Sequence, residues 1–474
     1  MQRILLAFCV VALLGSSTRG ENLFERFFLD KTLRVDLYHS GTSGSESFSL
    51  DRSLLEGSWP GSRVNLIDTM SLGEYQVRVY DRVTGRLIYS RGYSTIFNEW
   101  QTTDEAASGT QRTFSETVRF PRPRRAIQLT IARRQKNMTF REIFSVVVDP
   151  ADPTQISKKV HKSRHRVSGL MENGHPAEKV DIVIIGDGYS REDQTKFHED
   201  AEYFNRVLFE TLPFAARKDD FNVWAVAVES PESGIDVPDK DVWKGNPLGC
   251  MYNTFGSPRY ILTTDNKALR DAAAAAPYDF ICILVNDTRY GGGGIYNLYA
   301  TTYTREQNED QKWQMDYVYV HEFGHSFGGL GDEYYSSSTG YNEFYPPGVE
   351  PWEPNVTALL DRETVKWGNF LSEGVPIPTP WEKSVYDSLE AIRGKLDRLA
   401  PDYYEKRAPL YKKAMETLRT SRYAGKVGVF AGAGYVSEGL YRPAVNCRMF
   451  SLSLTDFDPV CSAAIERMID FYSR

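Results

Sequence analysis

Between about residues 27 and 148 the chain alternates apolar and polar side chains in short runs. LRVDLYHS, YQVRVYDRVTGRLIYSRG, TFSETVRF and AIQLTIARR are the clearest, and each turns alternate positions to one face, as a strand covered on one side requires. Val83-Thr84-Gly85 falls inside the second run, where it predicts a hairpin turn. The pattern predicts an all-β sandwich over residues 21–150, an ordinary size for a domain. This stretch holds a single histidine, His39, and no cysteine. It shows no evident chemistry and reads as a brace for its neighbour or a docking module. Periodicity then stops: residues 151–179 are polar, with prolines, basic residues and His161, His165 and His175, and read as an exposed linker. His161 and His165 have the spacing of a metal pair, but Lys158, Lys159, Lys162, Arg164 and Arg166 surround them and disfavour a cation.

From residue 180 the pattern becomes α/β. VDIVIIGDGYS gives a buried strand at Val180–Ile185 and a glycine turn; Ser190 with Asp193 resembles a capping box for a helix from about Arg191 to Phe209. The GDG turn lacks both the lysine and the glycine spacing of a phosphate loop. FNVWAVAVES and DFICILVND are further strands, with LRDAAAAAP ending a helix between them. Strands alternating with helices predict a largely parallel sheet. Gly291–Gly294 leads into IYNLYATTYT, which alternates like an edge strand. That edge suits either strand addition by an extended peptide or an ordinary strand beside a flexible loop. Residues 383–420 are strongly helical in two pieces separated by Pro401, which predicts a helical hairpin inserted in a domain spanning 180–474. The expected fold is α+β and multidomain.

Composition adds a compartment. MQRILLAFCVVALLGSSTRG carries Arg3, an apolar run Ile4–Leu14 too short to span a bilayer, and small residues after it, so residues 1–20 read as a cleaved signal peptide of a secreted protein. No other run is long enough for a transmembrane segment. Loss of Arg3 and Arg19 takes the formal charge from −7 to −9, and no basic block invites nucleic acid. Outside the leader four cysteines remain, which fits export. Cys447 and Cys461, close in sequence, are the preferred disulfide, while Cys282 in an apolar run reads as a buried thiol. Asn137, Asn286 and Asn355 each begin an N-glycosylation sequon.

The chemistry concentrates in HEFGHSFGGLGDEYY, residues 321–335. His321 and His325 are four apart and share one face of a helix, so both imidazoles can hold one Zn²⁺ while leaving positions open. Glu322 sits where its carboxylate can take a proton from a water activated by the metal. WQMDYVYV before the motif has apolar or aromatic residues at 313, 315, 317, 318 and 320, as a mostly buried helix needs, and Gly328 offers the helix an end. The H-E-x-x-H-x-x-G-x-x-H spacing would put a third histidine at Gly331, and no histidine follows His325. Asp332 is the leading third ligand and Glu333 the alternative, with Glu343 or Glu350 behind them.

Together with DIVIIGDGYS and with EGLYRPAVNCRMF followed by DPVCSAAI, this motif resembles the IgA-peptidase family of secreted zinc metallopeptidases, within the metzincin-like group. The resemblance covers residue 180 to the end and, more loosely, the β domain. It implies a metzincin-like zinc peptidase domain, with His321, Glu322 and His325 as the active core and Asp332 as carboxylate ligand. It also implies that Met449 forms the turn beneath the metal. Where some metzincins carry an oxyanion-steadying tyrosine, this chain has Ser451, which leaves Tyr441 or Tyr334 for that part. The function expected is a zinc-dependent endopeptidase with protein or peptide substrates and Glu322 as general base and acid. A zinc amidase or deacetylase on a non-peptide substrate would use the same groups. A secreted binding protein with a retired site is the non-enzyme alternative, against which the intact His-Glu-His set stands.

Overall fold

A computed structural model describes residues 22–473 except 161–162, 305–311, 337–339, 343 and 397–401. The expected leader, His161, Glu343 and Pro401 lie outside the described residues. The chain opens with a short helix α1 (Leu23–Phe27) and the strands β1 (Phe28–Gly41), β2 (Glu46–Leu55), β3 (Tyr75–Asp81) and β4 (Leu87–Tyr93). Two short helices follow, α2 (Ile96–Trp100) and α3 (Asp104–Ala107), then β5 (Arg112–Pro123), β6 (Ile127–Arg134), β7 (Phe140–Val148) and β8 (Ile156–Val160). They form two four-stranded sheets, ordered β5-β1-β2-β8 and β4-β3-β6-β7. Alternation explains the core: Tyr75, Val77 and Val79 of β3 and Ile127, Leu129 and Ile131 of β6 meet Leu33, Val35 and Leu37 of β1. The turn at 83–85 falls where expected, Gly85 adopting φ +67° and donating its N–H to Asp81 O at 2.8 Å.

The intervening polar residues of β1 do not face water. Arg34 and Asp36 are fully buried, because the outer face of that sheet is itself covered by the next domain. Arg34 Nε donates to Asp36 Oδ1 at 2.7 Å, and Arg34 Nη1 reaches Asp271 Oδ1 of the neighbouring domain at 2.6 Å.

The segment expected to be an exposed linker is instead structured at both ends. β8 pairs with β2 in parallel, and β9 (Arg166–Met171) joins the second domain's sheet antiparallel to the strand at Phe221–Ala227. Backbone hydrogen bonding at two open sheet edges outweighs the polar composition of that segment. His165 lies exposed just before β9, and His175 accepts from Ala177 N–H at a short helical turn; among the described residues neither belongs to a group that could hold a metal.

The second domain is built on a six-stranded sheet ordered β15-β16-β14-β10-β11-β9, with strands β10 (Val180–Asp187), β11 (Phe221–Ala227), β14 (Phe280–Val285), β15 (Gly292–Ile295) and β16 (Tyr299–Tyr303). A separate pair, β12 (Cys250–Met251) and β13 (Leu262–Thr263), lies in the connection after β11. β11, β10, β14 and β16 are parallel, as the alternation of strands and helices predicts. β10 is buried at every position, as a strand covered on both faces must be. The helices are α4 (Gln194–Phe209), α5 (Asn266–Ala273), α6 (Lys312–Gly328), α7 (Lys383–Gly394), α8 (Tyr403–Arg419) and α9 (Pro459–Tyr472). α4 starts after the expected point: Asp193 accepts from both Ser190 N–H and Ser190 Oγ, and that closed turn keeps residues 190–193 out of the helix. α4, α6 and α9 pack together, α5 lies against β5 of the sandwich, and α7 and α8 form the expected hairpin. A short pair, β17 (Phe430–Ala433) and β18 (Val436–Arg442), precedes α9. Among the described residues no helix is long and apolar enough to cross a membrane.

Candidate active site

α6 runs between the sheet and α9, and its apolar positions Met315, Tyr317, Val318, Val320, Phe323 and Phe327 are buried. The edge strand beside it is the glycine run itself, not the alternating stretch after it; β15 pairs antiparallel with β16. Glycine is required there by close approach. A Cβ on Gly294 would stand 2.2 Å from Glu322 O, and one on Gly292 would stand 2.5 Å from Val318 Cγ1. The strand can therefore lie directly on the motif helix. Gly292 already exchanges backbone hydrogen bonds with Arg259 and Ile261, so among the described residues the Gly293–Ile295 part of the outer edge is what remains for another strand. The helix includes Gly328, and Gly329 at φ +62° makes the left-handed turn that brings the following loop back across the histidines.

That loop carries Asp332 to the two imidazoles. Asp332 Oδ1 is 3.0 Å from His321 Nε2 and 3.3 Å from His325 Nε2, and the two Nε2 atoms are 3.2 Å apart. His325 Nδ1 is 2.6 Å from Leu330 O, and His321 Nδ1 is 3.1 Å from both Arg448 O and the Tyr317 hydroxyl. Carbonyls at Nδ1 require N–H there, which turns both Nε2 lone pairs inward. Neutral rings so fixed have no hydrogen for Asp332 Oδ1, a buried oxygen without a donor. Three lone pairs converging on one buried point fit a divalent cation. Where no cation is bound, a proton on His325 is what offsets the Asp332 charge. Burial works against charging His325, yet Asp332 beside it raises its pKa to about 9. Burial would raise Asp332, but His325 and His321 hold it well below the usual carboxylate range.

The cleft above this point is lined by Glu322, Tyr334, Tyr435, Arg259, Tyr290 and Glu99, among others. Burial pushes Glu322 up from the ordinary carboxylate range, with the two histidines opposing. Tyr435 donates its hydroxyl to Asp332 Oδ2 at 2.6 Å, leaving Oδ1 aimed at the imidazoles. The sequence reading missed Tyr435; its only signal is its place in GAGY435, a glycine-rich turn where it takes φ +69°. Glu99 comes from α2 of the sandwich, the domain expected to carry no chemistry. Its Oε2 accepts from Tyr260 at 2.5 Å and Tyr341 at 2.8 Å, and burial raises it to about 7 against those two bonds.

The remaining expected residues divide. Met449 is fully buried under α6, and a Cβ on Gly324 would meet its Sδ at 3.2 Å. Arg448, its neighbour, supplies the carbonyl to His321. Tyr334 lies in the cleft with its ring stacked 6.2 Å from His321. Tyr441 does not: it packs with Trp367 and Val429, because β18 turns it to the far side, where its backbone pairs with Thr357. Glu333 is no alternative ligand, since the backbone after Asp332 points it away, to Asn355 and Cys461. Glu350 is engaged by Lys366 at 3.1 Å. The expected bridge is not formed: Cys447 and Cys461 are free thiols with Sγ atoms 3.8 Å apart, Cys461 directed at Glu333 Oε1. Cys282 is a buried thiol. Asn355 cannot bear a glycan as placed. It is fully buried, its Oδ1 accepts from Gly331 N–H, and its Nδ2 donates to Gly331 O and Glu333 Oε1, clamping the ligand loop. Asn286 is half-buried, with Nδ2 shared among Gly188 O, Asp193 and Ser233, whereas Asn137 is exposed in the turn after β6.

Comparison with known proteins bears on the same span. A family model described as IgA Peptidase M64 matches residues 169–469, and one described as Peptidase M64 N-terminus matches residues 23–145. No curated protein matches the chain.

Proposed function

This chain belongs to the IgA peptidase M64 family, and on that premise we propose that it is a secreted zinc-dependent endopeptidase with a metzincin-like site and Glu322 as general base. Membership makes it a peptidase hydrolase with a protein or peptide substrate. The observation that carries the finer reading is the convergence of His321 Nε2, His325 Nε2 and Asp332 Oδ1 on one buried point, with Glu322 on the adjoining wall of the cleft. These three residues would hold Zn²⁺, which would supply Lewis acidity to the scissile carbonyl and to an attacking water. Glu322 takes the proton of that water as its oxygen bonds to the carbonyl carbon. It then delivers the proton to the departing amine as the C–N bond breaks. Burial suits it to the second half of that cycle, because a raised pKa favours the form that carries the proton. Tyr435 and the Leu330 and Arg448 carbonyls hold the ligand set in one orientation. The Gly293–Ile295 edge of β15, beside Glu322, supports an extended peptide laid along the cleft. Export rests on Arg3 and the apolar run Ile4–Leu14.

The test compares the purified protein with Glu322→Ala on an unfolded protein, reading fragments by mass spectrometry. Loss of general-base chemistry predicts a rate lower by about 10²–10⁴-fold with metal content unchanged. Equal cleavage by both would remove Glu322 from the reaction. Absence of cleavage by a metal-loaded parent would favour an amidase acting on other substrates.

A further inference from the structure

Directly behind the Asp332 loop lies a second constellation that the peptidase reading does not use. Glu333, Cys447, Asp458 and Cys461 each offer a ligand atom, all within 4.8 Å of one another, and all four residues are buried. The two Sγ atoms are 3.8 Å apart. A disulfide would bring them to about 2.05 Å. Two thiolates about 2.3 Å from one tetrahedral zinc stand about 3.8 Å apart. Cys461 Sγ is 3.3 Å from Glu333 Oε1, and Asp458 N–H points at Cys447 Sγ at 3.4 Å, the kind of backbone donor that steadies a thiolate.

The carboxylates are the stronger argument. Asp458 Oδ1 caps α9 by accepting from Val460 and Cys461 N–H, and Glu333 Oε1 accepts from Asn355. The other oxygen of each, Asp458 Oδ2 and Glu333 Oε2, is buried with no hydrogen-bond partner. Two such oxygens beside two thiols in one interior pocket are unfavourable unless something neutralises them. Arg442, a buried cation whose charge is felt at Glu333, spends its terminal amino groups on the carbonyls of Ala431, Gly432 and Val445. We propose that Glu333, Cys447, Asp458 and Cys461 hold a second, structural metal ion, with the two-sulfur, two-oxygen set suited to Zn²⁺.

Its place in the fold gives it a task. Glu333 follows the Asp332 ligand and donates its N–H to Met449 O at 2.9 Å; Cys447 lies two residues before Met449; Asp458 and Cys461 form the first turn of α9. One ion there ties the ligand loop, the methionine turn and α9 together beneath the first site. The ion's part is structural and needs no reaction at the first site.

The test is metal counting on the full chain purified under non-reducing conditions, with cysteine alkylation after denaturation. Two zinc ions per chain and alkylatable Cys447 and Cys461 are expected. His321→Ala/His325→Ala should keep one ion, and Cys447→Ala/Cys461→Ala should lose one. Cobalt-substituted protein should show thiolate-to-metal charge-transfer absorption in the parent and the histidine variant but not in the cysteine variant. If only the first site's reading fails, one ion remains and the thiolate absorption persists. Cysteines that resist alkylation until reduced would mean a disulfide and overturn the proposal, as would a parent whose cobalt spectrum lacks the thiolate band.

Discussion

Both domains bury a histidine among carboxylates, and the two arrangements differ in what completes them. In the sandwich, His39 lies between the rings of Phe48 and Phe97, with centroids 3.9 and 3.7 Å away. Its Nδ1 is 2.7 Å from Glu116 Oε1 and its Nε2 is 3.1 Å from Glu46 Oε2. Each nitrogen has its own acceptor, so two protons satisfy the ring, and the result is a buried imidazolium pair network that also takes in Arg133 and Tyr75. In α6, each Nδ1 is spent on a carbonyl and the two Nε2 atoms face each other across 3.2 Å with Asp332. Protons cannot satisfy that geometry without like-charge repulsion; a divalent cation can. The direction of the free nitrogens, more than the company of carboxylates, separates a structural histidine from a ligand.

The largest effect that tests this contrast is at Asp332. Asp332→Ala removes one of three converging lone pairs. It should lower zinc content at that site and peptidase rate by about 10³-fold, the order found when a fixed electrostatic group is lost from a reacting centre. Metal analysis beside a peptide assay checks it, and full zinc occupancy with parental rate would show that the carboxylate is not a ligand. His39→Leu should do the converse, leaving metal content alone while costing about 3–5 kcal/mol of stability by stranding Glu116. Urea unfolding reads that loss.

pH sharpens the same comparison. Burial opposes a charged His39, but Glu116 and Glu46 outweigh it and raise its pKa above that of an ordinary histidine. A group whose folded pKa is raised contributes stability that is complete below its unfolded pKa of about 6.5 and is lost as pH climbs through the folded value. The parent's urea midpoint should therefore fall with rising pH above about 6.5 by more than that of His39→Leu. Parallel profiles would mean the ring is not charged in the folded sandwich.

A smaller effect belongs to Tyr435→Phe. It frees Asp332 Oδ2 without touching a ligand atom, and loss of such an orienting bond costs about 10–100-fold in metal affinity. Competition with a chelator measures it, and an unchanged affinity would leave Tyr435 as a wall of the cleft only.

Much of this was legible in the chain and some was not, for reasons that are physical. His321, Glu322 and His325 are fixed by helical spacing, a local property. The parallel sheet follows from runs like VDIVIIGD, whose burial needs no knowledge of the rest. Asp332 was legible only as the nearest carboxylate after a turn, because its position depends on Gly329 and on Asn355, twenty-four residues downstream of Gly331. Asn355 itself read as a sequon, since a tripeptide does not record that its amide will be buried. Glu333 and Cys461 are far apart in sequence and meet only through α9. The strands at either end of the linker were not legible because its backbone pairs with open sheet edges while its side chains stay largely exposed, and polar composition records only the side chains.

The sandwich's own entry into the cleft gives the smallest and most specific prediction. Glu99 projects from α2, next to Phe97 that stacks on His39, so the structural histidine and the cleft share one short helix. Its pKa of about 7 reflects burial against hydrogen bonds from Tyr260 and Tyr341. Above that pH it adds negative charge to the cleft; below it, none. Glu99→Gln keeps an acceptor for the two phenols and removes the charge. For peptides carrying a lysine near the scissile bond, KM should rise about 2–5-fold at pH 8, the worth of a modest ion pair, with kcat unchanged. At pH 6 the parent and the variant should converge, and norleucine peptides should show no difference at either pH. A rise in KM that ignored both the lysine and the pH would make Glu99 a spacer between the two domains and return the sandwich to the part of a brace.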